Sequence, residues 1–153
     1  MPEALPITGG CQCGAVRYEI EGPLPPVYAC HCRECRRHTA SAFALSMPVD
    51  MAALHLSGDL AVHVRATDSG TRTFCHFCPS CGTRIYHRSE RAPGRVTIKA
   101  GTLDDAETLS PAAHLWVSRK QPWVSLDPRI PAFETQPDDL GAWRSALLGE
   151  AAS

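Results

Sequence analysis

Cys30-His31-Cys32-Arg33-Glu34-Cys35 places three thiols within six residues, spaced C-x-C-x-x-C. Two other runs echo it. One is Gly9-Gly10-Cys11-Gln12-Cys13-Gly14, the other Cys75-His76-Phe77-Cys78-Pro79-Ser80-Cys81-Gly82. All eight cysteines fall in these three knots. Cysteines used as small core hydrophobes would scatter along the chain. Clustering is what a tetrahedral Zn²⁺ site requires, because the ion takes four soft ligands with Zn–S of about 2.3 Å. A short gap lets one turn present two sulfurs to one ion. Two Zn²⁺ per chain are therefore expected.

Other uses of the thiols fit less well. Disulfides belong to secreted chains, and the first eight residues show neither a basic stretch nor an apolar run of signal-peptide length. C-x-C partners on a strand also point to opposite faces, which strains a bridge between them. A redox C-x-x-C should open a helix, yet Cys78 to Cys81 leads into Gly82-Thr83-Arg84-Ile85-Tyr86, which reads as a strand. So many unbridged thiols suit a reducing cytoplasm, which is the expected location.

A chain of 153 residues is expected to form one domain with a sizeable core. The formal charge of −1 gives no support to a nucleic-acid partner. No apolar run approaches the ~20 residues of a membrane span. Many short strands between Gly/Pro turns predict a mainly β domain of antiparallel strands. Val16, Tyr18 and Ile20 alternate with Arg17 and Glu19, the pattern of a half-buried strand over Ala15 to Ile20. Gly9-Gly10 is expected to turn the chain tightly into Cys11. Further strands are expected at Val27–Ala29, Ala42–Val49, Ala53–Leu56, Ala61–Ala66, Thr71–Phe77, Thr83–His87 and Val96–Gly101. Arg36 to Ser41 reads as a turn or short helix. His114–Val117 and Pro122–Leu126 read as short extended pieces. Leu140, Trp143, Leu147 and Leu148 recur at i, i+3, i+7 and i+8, so a C-terminal helix is expected over about 137–149, with Pro137, Asp138 and Asp139 at its positive end.

Close thiol pairs tend to serve one ion. Cys11 and Cys13 pair naturally with Cys78 and Cys81, since each pair enters or leaves a strand. Cys30, Cys32, Cys35 and Cys75 remain. Three protein thiolates with an exchangeable position are what a catalytic zinc has, whereas a closed set of four is structural. Cys75 either completes the second set or faces the core or solvent.

Four linked motifs carry a family resemblance. Gly9-Gly-Cys-Gln-Cys-Gly-Ala-Val-Arg-Tyr18, Cys30-His-Cys-Arg-Glu-Cys-Arg36, Phe77-Cys-Pro-Ser-Cys-Gly-Thr83 and Trp116-Val-Ser-Arg-Lys-Gln-Pro-Trp123 follow in order. The chain resembles the glutathione-dependent formaldehyde-activating enzyme family, which also includes centromere protein V, from Gly9 to about Pro137. The resemblance implies a β-tent zinc fold. It implies a structural zinc on Cys11, Cys13, Cys78 and Cys81, and a second zinc on Cys30, Cys32 and Cys35, which become the candidate catalytic residues. Cys75 is a departure from the family pattern. The implied reaction joins glutathione and formaldehyde into S-(hydroxymethyl)glutathione, a carbon–sulfur lyase reaction run in reverse.

Glutathione carries two carboxylates, so Arg33, Arg36, Arg37, Arg119 and Lys120 are candidate partners for it or a related thiol. His31 and His38 are candidates for proton transfer or a fourth ligand, or are ordinary polar residues. Trp116 and Trp123 are expected in the core or a cleft wall. Two other functions stay open: a binding module in which both zincs are structural, and a zinc- or thiol-handling protein with a labile second site.

Overall fold

The alternation that marks strands in the sequence is borne out in the computed structural model, which describes residues 5–147. The strands are β1 (Ile7–Gly10), β2 (Arg17–Ile20), β3 (Tyr28–Cys30), β4 (Ala44–Asp50), β5 (Leu54–Ser57), β6 (Ala61–Ala66), β7 (Arg72–Phe77), β8 (Arg84–Ser89), β9 (Arg95–Lys99) and β10 (Ala113–Leu115). The helices are α1 (Arg33–Thr39) and α2 (Leu140–Leu147). The fold is mainly β, with short strands and a C-terminal helix, as expected. By contacts the chain divides into two units: Met1–Leu24 with Val49–Thr108, and Pro25–Pro48 with Leu109–Ser153.

In the first unit β1, β2 and β5 form an antiparallel sheet. Tyr18 and Ile20 on β2 are buried while Arg17 and Glu19 are exposed, the period-2 pattern of a sheet with one covered face. Gly9 and Gly10 do not make the expected turn; they end β1, and Gly9 pairs with Tyr18. A Cβ on Gly9 would lie 2.3 Å from the Tyr18 hydroxyl oxygen, so close approach, not positive φ, is what requires glycine there. That hydroxyl in turn lies 2.7 Å from Thr102 Oγ1. Strands β6, β7, β8 and β9 follow one another as antiparallel neighbours in the same unit. Ile85, Val96 and Ile98 fill the core beneath them, each side chain worth about 1.5–3 kcal/mol of burial.

In the second unit β3 lies between β4 and β10. The β3–β4 pair is antiparallel. The β3–β10 pair is parallel, with Ala113 opposite Tyr28 and Leu115 opposite Cys30. This departs from the antiparallel expectation; a parallel pair needs a long crossover, which leaves no local signal. Pro122–Leu126, read as extended, forms no strand; Val124 N–H closes a turn on the Gln121 carbonyl at 3.1 Å. Helix α2 begins later than Pro137 because Asp139 caps it, its Oδ1 accepting from Ala142 N–H at 2.9 Å. Leu148, part of the expected stripe, lies outside the described residues. Leu140, Trp143 and Leu147 pack against the buried set Tyr28, Cys30, Ala113 and Leu115. Trp143 meets Tyr28 edge-on at 5.2 Å, and Arg144 Nη2 donates to the Tyr28 hydroxyl at 2.8 Å. Among the described residues, no helix is long and apolar enough to cross a membrane.

Candidate metal centres

In the first unit, two loops meet. Each closes on itself by two backbone bonds, the first spanning five residues in both loops. Cys11 N–H donates to Val16 O at 3.0 Å and Gly14 N–H to Cys11 O at 3.2 Å. Cys78 N–H donates to Thr83 O at 2.9 Å and Gly82 N–H to Cys78 O at 2.8 Å. Gly14 and Gly82, each directly after a cysteine, both have φ of +81°, which a side chain would oppose. The result is that Cys11, Cys13, Cys78 and Cys81 present four Sγ atoms all within 4.8 Å of one another. The Cys11–Cys13 and Cys13–Cys78 sulfurs are 3.6 and 3.8 Å apart. Ligands at about 2.3 Å around a tetrahedral ion are separated by about 3.8 Å, so this donor set fits such an ion.

Hydrogen bonds favour the charge such an ion needs. Val16 N–H lies 3.2 Å from Cys11 Sγ and is the chief reason that thiol is lowered below its usual range. The Thr83 hydroxyl, 3.2 Å from Cys81 Sγ, leads the causes that bring Cys81 down to about 5. At Cys13, Ala15 N–H pulls downward, but the Cys11 sulfur, burial and the other two cysteines raise it to about 11. A bound cation would release that last proton. Thr83 also accepts at Oγ1 from Gln12 N–H at 3.2 Å, so one hydroxyl ties the two loops together. Nothing in the cysteine spacing singles out this role. Its signal in the sequence is a hydroxyl two positions past the last cysteine of the knot.

In the second unit, Cys30 ends β3, Cys32 caps α1 and Cys35 lies in the first turn of that helix. Their Sγ atoms also fall within 4.8 Å of one another. The Cys32 sulfur accepts from Cys35 N–H at 3.4 Å, taking the place of an oxygen cap. The Cys30 thiol, then the Cys35 thiol, hold Cys32 down to about 2, and the Cys32 thiolate pushes Cys30 up to about 11. This set has three protein donors. Neither His31 nor His38 joins it. His31 is fully buried, with Nε2 3.0 Å from Nδ1 of the buried His114. Burial lowers His31 to about 4 and lowers His114 as well. Cys75 belongs to neither set. It is buried on β7, opposite His63 on β6 and His87 on β8.

Arg33, Arg36 and Arg37 of α1, with Ser41, Gln121 and Trp123, line a cleft of about 630 Å³. Trp123 is therefore a cleft wall, and Trp116 is half-buried against the core. Arg119 and Lys120 do not line the cleft. The Lys120 ammonium donates to the Val124 carbonyl at 2.8 Å.

Residues 6–119 match the family described as glutathione-dependent formaldehyde-activating enzyme, and the chain belongs to that family. A Halomonas elongata protein, provisionally named glutathione-dependent formaldehyde-activating enzyme, is 28% identical over 153 residues, covering 92% of this chain and 96% of that one. A crystal structure of a Rhodobacter sphaeroides protein is similar in fold, with a TM-score of 0.52 and 21% identity over 82% of this chain and 98% of that one.

Proposed function

We propose that the chain is a zinc-dependent carbon–sulfur lyase-type enzyme of the cytoplasm that joins glutathione, or a related thiol, to formaldehyde or another small aldehyde. Residues 1–153 act as a single zinc-binding domain. Cys11, Cys13, Cys78 and Cys81 hold a structural zinc, and Cys30, Cys32 and Cys35 a second one. The observation that carries the reading is the unequal donor count, four thiols in one set and three in the other. A closed set is structural, while a set of three leaves a position for an exchangeable ligand.

In the reaction the thiol sulfur forms a bond to the carbonyl carbon. The carbonyl π bond opens onto oxygen, which takes the proton the thiol gives up. Nothing is oxidised or reduced. Bound zinc supplies the positive charge that keeps a coordinated sulfur deprotonated and polarises a carbonyl oxygen. The chain's own residues do the rest. Cys35 N–H stabilises the Cys32 thiolate, and the arginines of α1 offer guanidinium forks to anionic groups of the thiol substrate.

Exchange NMR on formaldehyde and glutathione, with and without the zinc-loaded protein, tests the proposal. Faster exchange that disappears in Cys32→Ser is expected. Exchange at the uncatalysed rate with fully loaded protein would overturn it.

A further inference from the structure

The cleft on α1 is oddly matched to glutathione. Arg33, Arg36, Arg37 and Ala40 fall at i, i+3, i+4 and i+7 and line the cleft together, so three guanidiniums share one stripe. Such neighbours repel one another along a helix. None of the three is in an ion pair with a described residue, and no carboxylate lines the cleft. Arg36 Nε is a buried donor without a hydrogen-bond acceptor. A buried N–H left in this state points to an acceptor supplied from outside. Glutathione has two carboxylates but also an ammonium group, which would meet only guanidiniums here. Its net charge of about −1 at neutral pH leaves the stripe undercompensated.

Another lining residue, Trp123, adds a second requirement. Trp123 is 73% exposed, yet its ring is held in place by Nε1–H donating to Gln121 Oε1 at 2.7 Å. A fixed, open indole face is a surface for stacking a planar ring. Glutathione has no ring to place there. The cleft volume of about 630 Å³ is within the range that holds a ligand of nucleotide size. Finally, at 100° per residue Cys35 lies about 150° round α1 from the centre of the arginine stripe. A thiol anchored on the stripe must reach round the helix to the sulfur cluster, so its anionic part and its sulfur must be separated by an arm.

We propose that this cleft binds the phosphorylated, base-bearing part of a nucleotide-linked thiol, and that such a thiol is preferred over glutathione. The phosphates take the guanidinium forks of Arg33, Arg36 and Arg37, and the base stacks on Trp123. This rests on the reading of the chain as a thiol-adduct enzyme and specifies which thiol it uses.

The test is a tryptophan-fluorescence titration of the zinc-loaded protein with adenosine 3′,5′-bisphosphate, which has phosphates and a base but no thiol. Quenching that is lost in Trp123→Phe, with binding at least about tenfold tighter than that of glutathione, is expected. Arg37→Gln and Arg33→Gln should each weaken the bisphosphate by about tenfold or more, at unchanged metal content and melting temperature. Equal or tighter binding of glutathione overturns the proposal. So does bisphosphate binding unchanged in both arginine variants, inorganic phosphate binding as tightly as the bisphosphate, or a single-stranded oligonucleotide binding more tightly per nucleotide than the mononucleotide. The titration is independent of turnover. Exchange catalysis with glutathione in a protein that ignores the bisphosphate would defeat this inference and leave the enzyme reading standing. Tight bisphosphate binding in a protein that accelerates exchange with no thiol would defeat the enzyme reading itself.

Discussion

The two cysteine sets are assembled in opposite ways. In the first unit two loops, each locked by its own backbone bonds and a positive-φ glycine, bring four sulfurs together from distant parts of the chain. In the second unit one short run supplies all three sulfurs, from a strand end, a helix cap and the first helical turn. Four sulfurs from two distant loops would make a bound ion a cross-link, whose loss would separate segments of the fold. Three sulfurs from one run cross-link little beyond that run. The local set can therefore give up or exchange a ligand without dismantling its surroundings, which are held by apolar packing of Tyr28, Ala113, Leu115 and α2. The difference separates a set suited to stability from one suited to chemistry.

The comparison breaks most readily at Cys81. Zinc binding to a structural site supplies about 10–16 kcal/mol, as much as the whole net stability of a typical domain, about 5–15 kcal/mol. Cys81→Ser should lose one metal per chain and its cooperative thermal transition; a cooperative melt near the wild-type temperature would refute the cross-link argument. Cys32→Ser should also lose one metal, but keep a cooperative melt. Serine is itself a good helix cap, so α1 retains its first turn. Metal analysis alongside calorimetry reads both, and collapse of Cys32→Ser as complete as that of Cys81→Ser would erase the distinction.

Thr83→Val sharpens the comparison at the scale of single hydrogen bonds. It removes the bond to Cys81 Sγ and the acceptor for Gln12 N–H. A loss of about 1–2 kcal/mol is expected, with about 10–100-fold weaker metal retention in the four-sulfur set, both largely restored by Thr83→Ser. Competition with a chromogenic chelator measures the second effect, and unchanged retention in Thr83→Val would contradict it.

The smallest effect concerns pH. Burial lowers His114 below its ordinary value, so the folded state favours the neutral ring. Its contribution is fully present above the unfolded pKa, about 6.5, and is lost as pH falls from there toward the lowered folded value. His114→Gln should therefore make the melting temperature fall less between pH 7.5 and pH 5.5 than it does in the wild type. A steeper fall in the variant would reverse the sign of the argument.

Much of the strand layout was legible because Val16, Tyr18 and Ile20 carry a clean period of two. The cysteine sets were legible because metal-ligand spacing is local chemistry; pairing the knots that flank strands gave the set of four but left Cys75 open, and only the family resemblance implied a second set of three. The start of α1 was not. No residue of that helix is fully buried, so it lacks an apolar stripe, and its cap is a cysteine instead of an oxygen-bearing residue. Gly9-Gly10 was misread because glycine signals both turns and close backbone approach, and only the position of Tyr18 distinguishes them. The β3–β10 pairing is set by the whole intervening chain, and no short window of sequence contains it.

That pairing also imposes an order of events during synthesis. The chain is made from its N-terminus, and the last sulfur of the four-membered set, Cys81, is in place well before Leu115, the residue opposite Cys30 on β10. Until Leu115 has been added, one edge of the strand that delivers Cys30 is bare. Closing so long a loop comes late in any folding route. A newborn chain can therefore complete the closed metal set first, and the open set acquires its framework only when β10 docks.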